Sequence, residues 1–452
     1  MTVTVVRKSP VSSDVTQKKL ADWHVSMISV GGIIGAGLFI GTSATISAAG
    51  PAVLASYLLA GALVWVVMIL LGRLARYHKG QGSFISHISG VLGQRSGFVA
   101  GWSYAFLWVV TGGAQAVAGG LILNDLFAIP AFAGSAALIV LALLLNTMPV
   151  RAYGKSEVIL SVLKLLSLTL FVGLGVYWFA KTPDSVNLVH ANLMGHGGFF
   201  PFGLWAVPVV VPMIVQTFTG CEIAFVASAE SDEPEKNIRR TVLRVPFLVL
   251  LFYLGSVLVI LCLRPWTDVL SGHSPFLLVM DYLAFPFAGS AVIIMTLVAV
   301  ISCLNSSKYV VSRVLRELSD LGCAPARLAY SSRYGVPLRA VALSTVFEVL
   351  IVLSAVWSPS HVYAILLGAS GTLILFVYFM VSLSCLRLSR AQALRATGLL
   401  ASISALLMGF LFLVIPLFPE SRLDGLIAFV FIALATGVSF RVLRSSDGDC
   451  AG

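Results

Sequence analysis

The stretch GGIIGAGLFIG, residues 31–41, places five glycines within eleven residues of the first long apolar segment. Unwinding at Gly35, Ala36 and Gly37 would free backbone N–H groups at the start of a half-helix, where the helix dipole favours a carboxylate. The alternative is that the glycines only let neighbouring membrane helices pack closely. Five glycines in so short a run are more than packing requires, which favours an interrupted helix with a binding role.

Apolar segments of similar length recur along the whole chain. The 452 residues are 58% hydrophobic and 11% charged, too few polar residues to cover a soluble protein of this length. A membrane helix needs about 20 apolar residues, whereas a barrel strand alternates and needs only about 10. The sequence therefore predicts an all-α integral membrane protein with twelve transmembrane helices. The predicted spans are 24–48, 51–75, 95–124, 129–148, 157–180, 203–228, 241–263, 283–304, 337–357, 363–386, 396–417 and 423–441.

The net charge of +10 indicates membrane topology rather than nucleic-acid binding, because it is unevenly distributed. Of the 29 Lys and Arg residues, 25 fall in one alternating set of loops and termini, and three fall in the opposite set. Lys308 is assigned to the first set, in the loop after helix 8, and Lys164 is left as the only basic residue well inside a span. This positive-inside bias predicts that both termini are cytoplasmic and that the basic loops contact anionic lipid.

The remaining composition excludes several other classes of site. None of the six cysteines falls in a predicted outer loop or a CxxC pair, so neither a disulfide nor a zinc site is expected. The first 22 residues are polar, and no cleavable signal peptide is expected. Short inner-surface helices are predicted within 80–94 and, as an extension of helix 8, at 312–318. No P-loop, metalloprotease or nucleophile-elbow motif is present, so we expect no enzyme activity, no cofactor, no metal site and no ATP-driven transport by this chain.

A second interruption lies in the sixth apolar segment, where residues 217–222 read TFTGCE. The first and sixth helices are corresponding members of two five-helix halves, and paired interruptions are typical of an inverted-repeat transporter with its site at the membrane midplane. No sequence similarity between the halves is visible, so the repeat rests on this spacing. The predicted division is a tail at 1–22, a first repeat at 23–180, a second repeat at 203–390, two further helices at 395–442 and a tail at 443–452.

Ionisable residues inside the spans are the main functional candidates. Glu222 could bind a substrate ammonium, take up a proton or form a gating hydrogen bond, since a carboxylate in a membrane helix is costly without such a role. Its alternative is a protonated carboxyl bonded to a neighbouring helix. Lys164 is predicted to be a proton site or a fixed cation in place of a sodium ion, with snorkelling to the inner surface as the alternative. Glu348 is a weaker candidate, and Glu157 is expected to be interfacial.

Polar and aromatic neighbours of these spans allow two interpretations. Gln115 and Asn305 could hydrogen-bond a ligand. Ordinary hydrogen bonds between helices would explain these two amides equally well. Trp102, Tyr104 and Trp108 are expected to serve packing or the interfacial aromatic belt.

Several motifs together resemble a known family. GIIGAGLFIG at 32–41 with AGPA at 49–52 is similar to the opening of bacterial amino-acid permeases of the amino acid–polyamine–organocation superfamily. FTGCE at 218–222, AESDEPEK at 229–236 and SCLNS at 302–306 resemble that family's helix 6, its inner loop and helix 8. The likeness runs in order over about 20–390, and it is greatest for the GABA permease-like branch.

This resemblance implies a LeuT-like fold of two inverted five-helix repeats plus two helices, and proton-coupled uptake of an amino acid by alternating access. It places the chain in the bacterial cytoplasmic (inner) membrane. The substrate carboxylate would meet Gly35, Ala36 and Gly37, its amine would meet carbonyls near Phe218 and Thr219, and the remaining binding residues would surround them. Lys164 matches the family's helix 5 lysine. The predicted substrate-binding residues are Ile34, Gly35, Ala36, Gly37, Gln115, Gln216, Phe218, Thr219, Gly220, Glu222 and Cys303, and the predicted proton-coupling residues are Lys164 and Glu222.

The chain departs from the family pattern at positions near the pathway. Arg73 stands where Glu is usual, Gln115 replaces a helix 3 glutamate, Gln216 replaces a common aromatic and Lys155 replaces an acidic residue. The loss of carboxylates argues against a cationic substrate. Three hypotheses follow: a proton symporter of an amino acid or GABA-like zwitterion, an amino-acid exchanger, and a sensor that binds without transporting. The expected partners are this small substrate, protons and membrane lipid, and oligomeric state is not readable from the sequence.

Overall fold

The computed structural model describes residues 22–77, 83–228, 234–284, 287–332, 334–417 and 422–448. Regular structure within these ranges is helical throughout. The first eight helices are α1 (Asp22–Ile33), α2 (Thr42–Ala49), α3 (Val53–Tyr77), α4 (Phe84–Leu92), α5 (Gln94–Phe127), α6 (Ala131–Thr147), α7 (Val150–Lys181) and α8 (Ser185–Met194). The remaining helices are α9 (Ala206–Thr217), α10 (Ile223–Ser228), α11 (Pro234–Leu263), α12 (Pro275–Leu283), α13 (Ala288–Asp320), α14 (Leu338–Ser354), α15 (Pro359–Ala391), α16 (Arg395–Val414) and α17 (Arg422–Gly448).

Every predicted span coincides with a helix or a pair of half-helices. Helices α1 and α2 form the first span and α9 and α10 form the sixth, each pair separated by non-α backbone. Eight stretches in the described ranges are long and apolar enough to cross a membrane. The other predicted spans are the two broken ones together with α6 and α14, which have 17 residues each. The all-helical architecture is confirmed, and within the described residues a helix or a pair of half-helices stands at each of the twelve predicted spans.

Helix α5 lies at the centre of the bundle and α17 at its edge. Of the apolar windows of these two helices, 83% is buried for α5 and 22% for α17. Helix α5 can approach its neighbours closely because it carries glycines on its packing faces: an added Cβ at Gly113 would lie 2.5 Å from Ile351 of α14, and one at Gly101 would lie 2.5 Å from Leu318 of α13. Small residues at such crossings let membrane helices pack without a gap.

The short helix predicted within 80–94 is α4, and helix 8 continues to Asp320 as expected. The two are joined by Glu317 of α13, whose carboxylate accepts the Ser83 N–H at 2.8 Å and the Ser86 N–H at 3.2 Å. These N–H groups lie in the first turn of α4, where backbone donors have no helical partner and an anion is stabilised. The extension of helix 8 therefore fixes the position of α4.

Two helices outside the spans, α8 and α12, have no counterpart in the sequence prediction. Phe276 of α12 packs against Phe39 at a ring-centroid distance of 5.0 Å and against Phe171 of α7 at 4.6 Å. The chain before α12 also holds α2, because Ser47 donates to the Val269 carbonyl at 2.7 Å. These contacts attach the second half of the first span to the segment between α11 and α13.

Several sequence predictions fall partly or wholly outside the described residues. The tail at 1–22 is described only at Asp22, and the tail at 443–452 only as far as Gly448. Residues 229–233 of the AESDEPEK motif and the basic residues Lys79 and Arg333 are likewise outside. The divergent Arg73 is described: its guanidinium donates to the Thr397 hydroxyl of α16, so it joins the second span to the eleventh.

Candidate functional site

The first span is interrupted as predicted. Helix α1 ends at Ile33, Ile34 and Gly35 leave the helix, and a π-helical turn runs over Gly37–Gly41 before α2 begins. The Ile34 N–H still bonds the Val30 carbonyl at 3.2 Å, so the ladder of α1 is lost one residue later. The carbonyl end of one half-helix and the N–H end of the next therefore face the same point in the bundle.

At the carbonyl end, Lys164 of α7 provides the main neutralising charge. Its Nζ donates to the Gly31 carbonyl at 2.6 Å, to the Ile34 carbonyl at 3.0 Å and to the Ser302 hydroxyl of α13 at 2.9 Å. The side chain is fully buried, so it does not snorkel to the inner surface. An ammonium has three N–H donors, and here two bond carbonyls at the negative end of the α1 dipole while the third bonds the Ser302 hydroxyl.

The two carbonyls between these are also bonded by side chains. The Cys303 thiol donates to Gly32 O at 3.3 Å, and the Tyr253 hydroxyl of α11 lies 3.3 Å from Ile33 O. Tyr253 also lies 3.0 Å from the carbonyl of Thr217, the last residue of α9. Helix ends in a membrane need such partners because lipid supplies none. Side chains from α7, α11 and α13 thus hold the first half-helix in place.

At the N–H end, the donor expected to meet a substrate carboxylate is engaged by a side chain. The Ala36 N–H donates to Gln115 Oε1 of α5 at 3.1 Å. An added Cβ at Gly35 would lie 3.0 Å from Gln115 Nε2 and 3.0 Å from Cys303 Sγ, so the backbone passes close to both. Gln115 is therefore a neutral acceptor for the backbone donor that the sequence assigns to the ligand.

The second break also lies where the sequence predicts. Helix α9 ends at Thr217, residues 218–222 turn, and α10 begins at Ile223. Gly220 has φ +120°, a conformation that favours glycine. An added Cβ there would lie 2.9 Å from the Ile33 nitrogen and 3.1 Å from the Gly32 carbonyl carbon. The two breaks thus touch through backbone, which brings the predicted residues of both spans into one site.

Glu222 is fully buried and holds three segments together. Its carboxylate accepts from the Tyr104 hydroxyl of α5 at 3.1 Å, from the Tyr378 hydroxyl of α15 at 2.9 Å and from the Gly220 N–H at 3.1 Å. These donors are compatible both with a gating hydrogen bond and with a carboxyl that joins neighbouring helices, and the assignments of Glu222 to substrate and proton binding stay predictions. Tyr104 packs as expected, edge-on against Phe84 and Trp108, and its buried hydroxyl is in addition a donor to Glu222.

Two polar groups near the breaks are buried without a hydrogen-bond partner in the described chain. They are Gln216 Oε1 and Thr219 Oγ1, in residues only 6% and 4% exposed. Gln216 Oε1 lies 3.6 Å from where a Cβ on Gly37 would be, beside the second half of the first span. Buried polar atoms are almost always paired in native proteins, so unpaired ones beside a candidate site indicate groups available to a ligand.

Glu157 was expected to be interfacial, and this is wrong: it is fully buried. Its Oε2 accepts from Ser302 at 2.6 Å and from Ser306 at 3.3 Å, and its Oε1 accepts from the Asn305 amide. An added Cβ on Gly31 would lie 2.5 Å from Oε2, so the carboxylate occupies space that a glycine of α1 leaves open. Donors from α13 replace the water that a boundary position would provide.

Lys308 was assigned to a loop, and Lys164 was taken as the only basic residue well inside a span; both statements are wrong. Lys308 is fully buried within α13, where its ammonium pairs with Glu348 of α14 and donates to the Thr345 hydroxyl at 2.9 Å. Glu348 Oε1 has no hydrogen-bond partner in the described chain and lies against Gly112 of α5. Glu348 is thus the partner of a buried cation at a three-helix contact.

The predicted binding residues of the first and sixth spans meet around the touching breaks, together with Gln115, Lys164 and Cys303. Sequence reasoning missed Tyr253 and Ser302, and it missed the burial of Glu157. The spacing of seven residues between Glu157 and Lys164 was the one available signal, because it places both on one face of α7 two turns apart. In the described residues, no group of three or more His, Cys, Asp and Glu side chains could hold a metal ion.

Comparisons with known proteins agree with this architecture. The family described as "Amino acid permease" matches residues 24–438. A gamma-aminobutyric acid permease of Bacillus subtilis is 34% identical over 376 residues, covering 83% of this chain and 80% of the relative. The gamma-aminobutyric acid permease of Escherichia coli is 35% identical over 383 residues, covering 83% and 81%. The aromatic amino acid transport protein AroP of Escherichia coli is 30% identical over 377 residues, covering 83% and 82%.

A solved structure supports the fold. The substrate-bound outward-open state of a Na⁺-coupled sialic acid symporter matches with a TM-score of 0.60 and 15% sequence identity, covering 89% of this chain and 91% of that one. The fold is LeuT-like, with two inverted five-helix repeats, two further helices and breaks in the first and sixth spans. From the family match and the two GABA permeases, the chain belongs to the amino acid permease family, in the GABA permease-like branch of the amino acid–polyamine–organocation superfamily, and is a multi-pass membrane transporter of amino acids.

Proposed function

We propose that the protein imports an amino acid or a GABA-like zwitterion across a bacterial cytoplasmic membrane by proton symport with alternating access. The proposal is carried by one observation: the two ends of the first break have opposite partial charges and different hydrogen-bond partners. The carbonyl end is bonded by the ammonium of Lys164, and the Ala36 N–H at the other end is bonded only by the neutral Gln115. A carboxylate is a stronger acceptor than an amide, so a substrate carboxylate can displace Gln115 there.

The substrate amine is assigned to the second break. Backbone carbonyls around Phe218 and Thr219 lie at the end of α9, where a helix dipole favours a cation. The unpartnered oxygens of Gln216 and Thr219 are further acceptors on this side. The expected ligand is therefore a zwitterion whose two charged ends each meet a helix terminus.

Lys164 is assigned the coupling role. Its ammonium bonds α1 to α13, so loss of its proton removes a charged donor from both Gly31 and Ile34. The geometry of the first break then depends on protonation, which is what coupling a proton to substrate occlusion requires. The positive-inside bias supports cytoplasmic termini, and anionic lipid is expected to contact the basic loops.

The test is uptake by purified protein in proteoliposomes of uniform orientation. GABA and a panel of tritiated α-amino acids are offered with and without an inward proton gradient, and a trapped pH-sensitive dye reports proton entry. Gradient-dependent accumulation with proton entry is the expected result, and uptake that ignores the gradient and moves no protons would reject symport. A thermal-shift screen of the same panel first identifies which compounds bind.

Exchange is a second candidate, favoured by one observation. Gln115 bonds the Ala36 N–H, Gln216 and Thr217 lie against Gly37, and none of these three side chains is ionisable. Counterflow without any response to a pH gradient would support an exchanger. Binding without either uptake or counterflow would support a sensor.

A further inference from the structure

Beyond Lys164, the structure contains a second buried group that a transported proton could reach. We propose that Glu157 is a proton-binding site that exchanges its proton with Lys164 through the Ser302 hydroxyl. This inference rests on the proton coupling proposed above and extends it to a residue that the sequence had placed at the membrane boundary.

Lys164, Ser302 and Glu157 form a continuous hydrogen-bonded chain. Lys164 Nζ donates to Ser302 Oγ at 2.9 Å, and Ser302 Oγ donates to Glu157 Oε2 at 2.6 Å. Glu157 and Lys164 are not in direct ion-pair contact, so the serine is the only described group that bonds both. A hydroxyl accepts one hydrogen bond and donates another, which lets it pass a proton without moving.

Transfer along this chain conserves protons. With Lys164 protonated and Glu157 ionised, Lys164 transfers an N–H proton to Ser302 Oγ while Ser302 gives its own proton to Glu157 Oε2. The products are a neutral amine, an unchanged hydroxyl and a neutral carboxylic acid. The pair has zero net charge before and after the transfer, so the step creates no net charge in a low-dielectric region, where that would be costly.

The chain also has a direction. Glu157 precedes Lys164 by seven residues, a rise of about 10 Å along the helix. Since the positive-inside bias puts the start of α7 at the cytoplasmic side, Glu157 lies nearer that side than Lys164. The polar contacts also continue this way: Ser306 lies 3.3 Å from Glu157 Oε2, and the Tyr153 hydroxyl lies 3.4 Å from Ser306 Oγ. A proton released from Glu157 therefore has a polar route toward the start of α7.

The surroundings keep Glu157 free of competing charges. On its own helix the titratable neighbours are Lys164 and Tyr153. The titratable residues of α13 nearby are Cys303 and Tyr309, whose ring stacks on that of Tyr153. The guanidinium of Arg313 lies 4.1 Å from the centroid of the Tyr309 ring. The residue of α1 that faces the carboxylate is Gly31. The other contacting side chains are neutral, namely Ser302, Asn305 and Ser306, with Asn146 of α6 behind Asn305 at 2.7 Å.

The experiment compares Glu157→Gln, Ser302→Ala and Ser302→Thr with wild type in proteoliposomes, using the compound taken up best from the panel above. Counterflow measures substrate transport without a gradient. The trapped dye measures proton entry, and dividing this by substrate uptake gives the number of protons entering per substrate molecule. We expect Glu157→Gln and Ser302→Ala to keep counterflow and to lose proton entry and gradient-driven accumulation. Ser302→Thr keeps the hydroxyl and should retain all three. Lys308→Met with Glu348→Gln, which removes another buried carboxylate together with its ammonium partner, should keep the wild-type ratio of protons to substrate.

Two results would overturn the role of Glu157. One is a wild-type proton-to-substrate ratio in Glu157→Gln, and the other is parallel loss of counterflow and accumulation, which would indicate a purely structural side chain. Wild-type protein that carries substrate without protons would instead reject symport itself, and the proton site with it. Infrared difference spectra between acidic and alkaline pH give a readout without substrate, because a protonated carboxyl band present in wild type should be absent in Glu157→Gln.

Discussion

Replacing Gly220 by alanine tests whether the two helix breaks must touch. At φ +120° a residue with a Cβ carries backbone strain of about 1–3 kcal/mol. The added carbon would also lie 2.9 Å from the Ile33 nitrogen and 3.1 Å from the Gly32 carbonyl carbon, and such overpacking costs about 1–3 kcal/mol. The nearest atom is Ile33 Cγ1 at 2.8 Å, but the other two belong to the backbone, so side-chain rotation alone does not relieve the contact. The two terms together predict a loss of about 2–6 kcal/mol.

The assay is thermal unfolding in detergent together with uptake in proteoliposomes. Gly173→Ala is the matched control, because Gly173 lies in a helical span and an added Cβ meets nothing within 4 Å. Alanine is the better helix former by up to about 1 kcal/mol, so the control should unfold at the wild-type temperature or slightly above. Gly220→Ala should unfold at a clearly lower temperature and lose uptake, since α1 and the turn before α10 are pushed apart.

A Gly220→Ala variant that unfolds at the wild-type temperature and transports normally would refute the need for contact between the breaks. That result would mean that the breaks are not in backbone contact during transport. Loss of uptake with unchanged stability would show instead that the contact forms only in part of the cycle.

Three further predictions concern the buried polar groups. Lys164→Ala should abolish gradient-driven uptake while the protein remains in the membrane, and undiminished pH-sensitive accumulation would exclude the coupling role. Lys308→Met should lower the free energy of unfolding by about 3–5 kcal/mol because it leaves Glu348 buried and unpaired. Lys308→Met combined with Glu348→Leu should recover most of this loss, as measured by thermal unfolding. A double variant as unstable as the single one would contradict the pairing. Gln115→Glu should raise KM by about tenfold at neutral pH, because an ionised acceptor competes better for the Ala36 N–H, and the effect should shrink in acid. A KM equal to that of wild type at every pH would show that Gln115 does not occupy the carboxylate position.

The helix breaks were predictable because their cause is local. A glycine run and a polar cluster weaken a helix wherever the rest of the chain lies, and both breaks fall at the predicted residues. The partners were not predictable, because they depend on tertiary contacts. Lys308 follows Asn305 and two serines and so looks like the start of a loop, yet α13 continues through it because Glu348, 40 residues later, neutralises its charge.

Glu157 was misplaced for a related reason. With Lys155 two residues before it, the segment reads as the inner boundary of a span, and Lys155 is indeed exposed. The carboxylate is nevertheless buried because α13 supplies Ser302, Asn305 and Ser306 as donors, and no local property of α7 reveals them. Predictions from composition were correct for the class of protein and for the helices, and they were weakest where a charge on one helix depends on another helix.

The Tyr253 hydroxyl lies within hydrogen-bonding distance of two acceptors, the Ile33 carbonyl at 3.3 Å and the Thr217 carbonyl at 3.0 Å, but it has only one hydrogen to donate. A small shift of one half-helix relative to the other therefore exchanges one bond for an equivalent one instead of breaking a bond outright. In the transport cycle proposed above, the side chain that holds the two breaks together would therefore also let one half-helix shift relative to the other.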